Sequence, residues 1–201
     1  IEDIKEKSEK ADKAKVIAVN KEDELTKMSI VIEEESAKAN AALEEALPAL
    51  EMAAEALKNL DKKDIGEIKA FTTPPAPVQN VCMCVVLLKP LGKEKEADGW
   101  KGAKSMLGDG QFLKALLNYN KDKLNDRMVR KVKAYFRDPN FTYEKMKGVS
   151  IAAAGLLMWV IAMVKYHEVA SNIEPLRLKV RKLEKDAARG AKELAQIKKE
   201  L

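Results

Sequence analysis

The stretch PLRLKVRKLEKDAARGAKELAQIKKEL, residues 175–201, places Leu176, Leu183, Gly190 and Ile197 seven apart, with Val180, Ala187, Leu194 and Leu201 four residues after each. Two interleaved apolar positions in every seven residues form a narrow stripe on one side of a helix, the seam of a coiled coil. The rhythm extends backwards through Ile173, Val169, Tyr166, Ala162 and Trp159. One helix is therefore expected from about Val149 to the C-terminus, bent at Pro175, where the ring removes a backbone donor and crowds the preceding turn.

A seam needs a partner, and the other heptad block lies at the opposite end of the chain. Ile4, Ala11, Ala18, Leu25, Ile32, Ala39, Ala46, Ala53 and Leu60 recur at intervals of seven. The companion position is less regular: Leu25 and Met28 are three apart, whereas Ala39 and Leu43, or Ala46 and Leu50, are four apart. This is a long helix of imperfect register, with Pro48 expected at a kink or bulge. Charge supports mutual pairing. Residues 1–70 carry 12 basic and 18 acidic groups, and residues 175–201 carry 9 basic and 4 acidic; opposite signs attract.

Between the blocks the helix-period signal breaks at Thr72-Thr73-Pro74-Pro75-Ala76-Pro77 and start and stop signals follow in quick succession. Helices are expected over Val78–Leu88, Trp100–Leu107, Gln111–Tyr119 and Arg127–Phe136, with a final turn from Thr142. The expected fold is all-α: a long antiparallel coiled coil capped by a small bundle of short helices. Residues 1–70 form the first stalk helix, 71–174 the knob and 175–201 the second stalk helix. An arm of 27 residues matches only about residues 44–70 of the first, leaving residues 1–43 as some 65 Å of unpartnered helix at about 1.5 Å per residue. A lone helix of that kind points to a piece of something larger.

Function classes narrow from here. A charged fraction of 34% against 5% aromatics fits solvated helices with a thin seam. Residues 71–174 carry 16 basic and 10 acidic groups, so an acidic partner is expected at the knob. The apolar run Val149–Val164 has 16 residues, short of the roughly 20 that span a bilayer, and no membrane partner is expected. No GxxxxGK[ST] phosphate loop occurs, and catalytic residues are expected to be none. His167 is the only histidine, so no metal site is expected; Cys82 and Cys84 read as small helix residues in a reduced setting. Trp100 and Trp159, among leucines at helical spacing, read as core.

The order of these signals resembles the stalk and microtubule-binding domain of dynein heavy chains. It is carried by Thr73-Pro74-Pro75 with Val78, Val81 and Val85; by Trp100, Ala103-Lys104 and Leu107-Gly108-Asp109; by Phe112-Leu113, Leu116, Tyr119 and Lys121-Asp122. Pro139-Asn140-Phe141, Lys147-Gly148-Val149-Ser150, Gly155-Leu156, Trp159-Val160, Ala162-Met163, Tyr166 and Val169-Ala170 complete it. The resemblance implies a tip that binds tubulin, continuing into the rest of the dynein heavy chain, whose ATP and Mg sites lie elsewhere; no cofactor is expected in this segment. It also implies sliding of one stalk helix on the other, which couples nucleotide state to track affinity. Carried over by position, the microtubule-binding candidates are Gln79, Asn80 and Met83, then Lys104, Lys145 and Lys147, then Met158, Ile161 and Lys165. Pro74, Pro75 and Pro175 are the candidate hinges. Charged side chains of the cytoplasmic branch are missing near Gln79, Met83, Met158 and Ile161, which favours an axonemal chain of a cilium or flagellum within the cytoskeleton. Two other classes fit the bulk numbers: a basic helical nucleic-acid binder, which lacks aromatic stacking residues on a basic face, and a structural coiled-coil scaffold.

Overall fold

The computed structural model describes residues 2–200, with side chains from Lys5 onward; the seam positions Ile4 and Leu201 lie outside the described side chains. It is helical, with α1 (Glu2–Glu44), α2 (Leu47–Lys58), α3 (Lys62–Ala70), α4 (Ala76–Leu88), α5 (Gly99–Gly108), α6 (Phe112–Leu117), α7 (Asp126–Tyr135), α8 (Tyr143–Lys147) and α9 (Ile151–Glu200). The chain divides into two compact units, one of Leu43–Ser171 and one of Ile1–Ala42 with Asn172–Leu201.

The first unit is built on α4. Residues Val81 to Leu88 are all buried, as an all-apolar helix requires: with no polar side, it must be covered all round. α5 and α7 pack directly on it, and α3 packs on α5. Pro75 and Pro77 open α4 where the first N–H groups have no intrahelical partner anyway. Its end is set by Lys89, whose φ of 52° is left-handed and whose N–H donates back to the Val85 and Val86 carbonyls. The first part of α9 is capped by the Ser150 hydroxyl, which accepts the Ala153 N–H at 3.1 Å, and its apolar run from Ala152 to Val164 is mostly core. That run, long and apolar enough to cross a membrane when taken with its continuation, spends its hydrophobicity on packing. Trp159 donates its indole N–H to the Leu116 carbonyl at 3.2 Å, Tyr119 donates its hydroxyl to the Leu88 carbonyl at 2.7 Å, and the two rings meet edge to face at 5.3 Å. One aromatic pair thus ties the ends of α4 and α6 to α9.

The single first helix expected to run to residue 70 is instead three. A turn at Glu45–Ala46 separates α1 from α2, with Pro48 in the first turn of the new helix. A second break at Asn59–Leu60 is followed by a reciprocal cap. Asp61 accepts the Lys63 and Asp64 N–H groups at 2.7 and 2.9 Å, and Asp64 accepts the Asp61 N–H at 2.8 Å. Donation from the Asp64 and Lys63 backbone holds the Asp61 carboxyl below its usual range. The boundary placed at residue 70 therefore falls inside the compact unit, which begins at Leu43.

The second unit pairs α1 with the distal part of α9. Lys21 pairs with Glu193 and Glu22 with Lys198, close to the end of α9, whereas Glu35 pairs with Lys179 at 3.1 Å, nearer its middle; the later part of α1 meets the earlier part of this segment, so the pair is antiparallel. Ala18, Ala39, Ile173 and Val180 are buried in the seam. At Gly190 an added Cβ would stand 3.0 Å from the Leu25 Cδ2, so this glycine is where the two backbones can approach. The expected pairing of residues 175–201 with 44–70 is thus wrong, and so is the unpartnered 1–43: residues 1–42 are the partner, because 47–70 is taken up as α2 and α3. α9 continues through Pro175 without a break. The missing N–H leaves the Ser171 carbonyl without its usual intrahelical donor, at the chain position where one unit gives way to the other.

Two outcomes follow. Lys89→Gly removes the left-handed cost of a Cβ, about 1 kcal/mol, and raises the melting temperature by about 3 °C in a calorimetric scan. Hydrogen bonds from Lys179 and Lys21 hold the Glu35 and Glu193 carboxyls below the ordinary value of 4.5. Their contribution to pairing is full above 4.5 and is lost as pH falls through the depressed values. Amide exchange in residues 21–35 should accelerate, relative to α4, when the pH drops below 4.5 (corrected for intrinsic rates) and stay flat from pH 6 to 8.

Candidate functional site

The structure separates the sequence candidates into three groups. The first is exposed and carries cation. Lys145 and Lys147 occupy α8 and are solvent-facing, as is Lys165 on α9. α8 is started by the Thr142 side chain, which accepts the Lys145 N–H, and the Lys145 ammonium donates to the Asn140 Oδ1 at 2.6 Å. Met158, Ile161 and Lys165 follow at helical spacing on one side of α9, half-buried, exposed and exposed in turn.

The second group is partly accessible. Gln79 and Asn80, in the first turns of α4, are half-buried. The third group is occupied elsewhere. Met83 is 8% exposed and belongs to the core, so its candidacy as a contact is withdrawn: past Asn80, α4 has no free side. Lys104 is half-buried, and its ammonium donates to the Phe71 carbonyl at 3.3 Å, as does the Trp100 indole, also at 3.3 Å. The two donors lie four residues apart on α5 and grip the carbonyl that ends α3, just before Pro74 and Pro75. Lys104 is thereby a support of the candidate hinge. Pro74 itself is buried.

Sequence reasoning missed the apolar half of the exposed site. Ile151 is 72% exposed and Val149 46%, directly after Lys147; seven residues separate Ile151 from Met158, so both lie on the same side of α9. The residue types gave no warning, since both sit inside what reads as one core run. The only available signal was Ser150, whose capping role puts Val149 outside the helix and Ile151 at its first turn. The resulting surface alternates ammonium groups with uncovered aliphatic side chains, a composition suited to an acidic protein face with apolar relief.

Chemistry of the catalytic kind has no support among the described residues. Burial pushes the Cys82 thiol up to about 12 and raises that of Cys84 as well, so neither is a thiolate at neutral pH. The His167 ring meets Asp126 at 2.8 Å and Ser171 at 3.3 Å, binding α9 to the start of α7. No group of three His, Cys, Asp or Glu side chains that could hold a metal is found among the described residues.

Lys104→Met, which keeps the aliphatic stem, is expected to lower stability by about 1 kcal/mol, and adding Trp100→Phe should cost more than the two single changes together, because the Phe71 carbonyl then loses both donors. Lys147→Ala should leave the chemical denaturation midpoint unchanged.

Comparison with known proteins gives a consistent set. The family model "Microtubule-binding stalk of dynein motor" matches residues 1–201. The chain is 49% identical over 146 residues to the dynein-1-alpha heavy chain of the flagellar inner arm I1 complex of Chlamydomonas reinhardtii, covering 72% of this chain and 3% of that one. It is 40% identical over 182 residues to dynein axonemal heavy chain 2 of Mus musculus, covering 88% and 4%. It is 36% identical over 201 residues to dynein axonemal heavy chain 10 of Homo sapiens, covering 100% and 4%. Among solved structures, the microtubule-binding domain of dynein-c superposes with a TM-score of 0.57 at 35% identity, over 68% of this chain and 94% of that one. The chain spans only 3 to 4% of the length of these curated relatives.

Proposed function

We propose that this chain, which belongs to the family of microtubule-binding stalks of dynein motors, binds the microtubule through the exposed surface of α8 and the start of α9, and passes the state of a distant motor through its helix pair. The observation that carries the proposal is the surface Lys145, Lys147, Val149, Ile151, Met158, Ile161 and Lys165. Ammonium groups attract an acidic track over about a Debye length, roughly 8 Å at physiological salt, and fix its orientation. The aliphatic side chains between them supply area that water leaves on docking. Gln79 and Asn80 add hydrogen-bonding groups at the open end of α4. The axonemal, flagellar and ciliary names of the relatives support the same setting for this chain, and the ATP and Mg chemistry belongs to the remainder of the heavy chain.

Coupling is assigned to the pairing of α1 with distal α9. Sliding one helix along another requires that seam side chains leave one set of holes and enter the next. Ala18, Ala39, Ala187 and Gly190 offer shallow holes, which lowers the barrier, while Leu25 against Gly190 marks the position that defines the register. The helix that carries the docking side chains of α9 is the same one that slides, so a shift enters the tip along one helix whose backbone ladder lacks a single bond, at Pro175.

Co-sedimentation with microtubules at low salt tests both parts. Ile151→Asp should keep the melting temperature and weaken binding about tenfold, and Lys145→Ala with Lys147→Ala should weaken it by several-fold. A Leu25→Cys, Gly190→Cys disulfide holds the present register and Leu25→Cys with Leu194→Cys holds one displaced by about a turn; the two should differ in affinity by tenfold or more. Absence of pelleting in either register would sink the proposal.

A further inference from the structure

Two glycines of α9 are covered at close range by leucines, one in each compact unit. In the unit of Ile1–Ala42 with Asn172–Leu201, Leu25 stands over Gly190, its Cδ2 3.0 Å from where a Cβ would lie. In the unit of Leu43–Ser171, Leu60 stands over Gly155, where an added Cβ would lie 3.2 Å from the Leu60 Cδ1 and 3.7 Å from the Ala56 carbonyl oxygen. Leu60 is 9% exposed and belongs to the core cluster, at the break between α2 and α3. At Gly66 of α3, by contrast, a Cβ would meet nothing within 4 Å.

The two seats share one register. Leu60 follows Leu25 by five heptads and Gly155 precedes Gly190 by five heptads. An antiparallel count that starts with Leu25 over Gly190 therefore arrives at Leu60 over Gly155 with no residue gained or lost, in spite of the turn at Glu45–Ala46. The same count sets small residues of the first arm against the second: Ala39 opposite Leu176 in one unit, and Ala46 opposite Val169 and Ala53 opposite Ala162 in the other. Neither neighbouring register fills the seats. A shift of one turn brings Ala56 or Asp64 to Gly155, and Lys21 or Ser29 to Gly190. Of the three, only the present register places a leucine in both.

We infer that Leu60 over Gly155 is the positioning contact through which the tip reads the register of the helix pair, and that the two glycine seats act in phase, so that closing one displaces the other by a turn. The inference rests on the coupling proposed above and assigns it to residues of the tip. Gly155 lies four residues after Ile151 and three before Met158, so its open side borders the docking face of α9. A leucine leaving this seat moves along the edge of that face. A methyl group at position 155 meets Leu60 closer than ordinary contact, within a packed core that gives little room. The register that relieves it brings the small Ala56 over the new side chain, and the same shift places Lys21 over Gly190.

Disulfide trapping in the whole 201-residue chain reads the register without a microtubule. Ile32→Cys with Leu183→Cys traps the present register, and Met28→Cys with Leu183→Cys the one displaced by a turn; both pairs leave the two seats intact. Gly155→Ala should raise the yield of the second pair relative to the first about fivefold. Adding Leu60→Ala, which makes room for the methyl group, should return the ratio to within about twofold of the parent. Gly66→Ala is the same change on a helix with open space at its Cβ, so it gains equally in helix propensity and should leave the ratio alone. Co-sedimentation is the second readout. Gly155→Ala should move microtubule affinity about fivefold towards that of the Met28→Cys, Leu183→Cys disulfide, again reversed by Leu60→Ala. A ratio unmoved by Gly155→Ala, moved equally by Gly66→Ala, or not restored by Leu60→Ala overturns the inference, as does a shifted ratio in a chain that binds with unchanged affinity. A ratio that shifts and is restored in a chain that pellets in no register supports the seats and strikes the docking proposal instead.

Discussion

Enclosure of α4 is the constraint on which the knob depends. From Val81 to Leu88 this helix presents eight consecutive apolar side chains, all buried, and a helix apolar on every side is stable in water only when other elements surround it. No single long helix can do that. Short helices set at different angles can, and the frequent caps and breakers after Leu88 supply them: Asn125 accepts the Met128 N–H at 3.0 Å to start α7, and Asn120 starts a 3-10 turn before it. The consequence for function is a rigid base. The side chains proposed for docking are held on α8 and the first turns of α9, beside this enclosed core.

The helix pair obeys a different rule. Its seam is thin, with few fully buried side chains and several alanines, and its cross-links are exposed ion pairs that contribute little individually. A coiled coil stabilised by large interlocking side chains would be locked in one register; one built with alanine and glycine at seam positions has alternatives close in energy. Low stability here is therefore a property that the proposed coupling needs, whereas low stability around α4 would defeat it. The two compact units divide the chain along that line.

How far the sequence disclosed this is uneven, and the reasons are physical. Helix identities in the knob were legible because Pro75, Gly108, Asn125 and Thr142 act locally through φ restriction or side-chain capping. The partner of the C-terminal arm was not. Ala39, Ala46, Ala53 and Leu60 keep a spacing of seven straight through the turn at Glu45–Ala46, and all four are buried. Periodicity reports which side of a helix is covered and is silent on what covers it. Ala39 lies in the helix pair, while Ala53 lines a cleft with Leu116 and Trp159. Met83 was misassigned for a related reason: a helix with no polar side has no periodicity from which to tell exposed from enclosed. Lys104 was misassigned because its acceptor, the Phe71 carbonyl, is 33 residues away.

The same logic bears on how a track is recognised with fewer charges on the contact helices. Gln79, Met158 and Ile161 carry no ionic group, and the proposed docking surface sets the exposed Val149 and Ile151 beside Lys145 and Lys147. Charge acts at a distance and weakens with salt, whereas apolar contact acts only once surfaces touch. A tip weighted toward the second kind gives up some steering but loses less affinity as ionic strength rises.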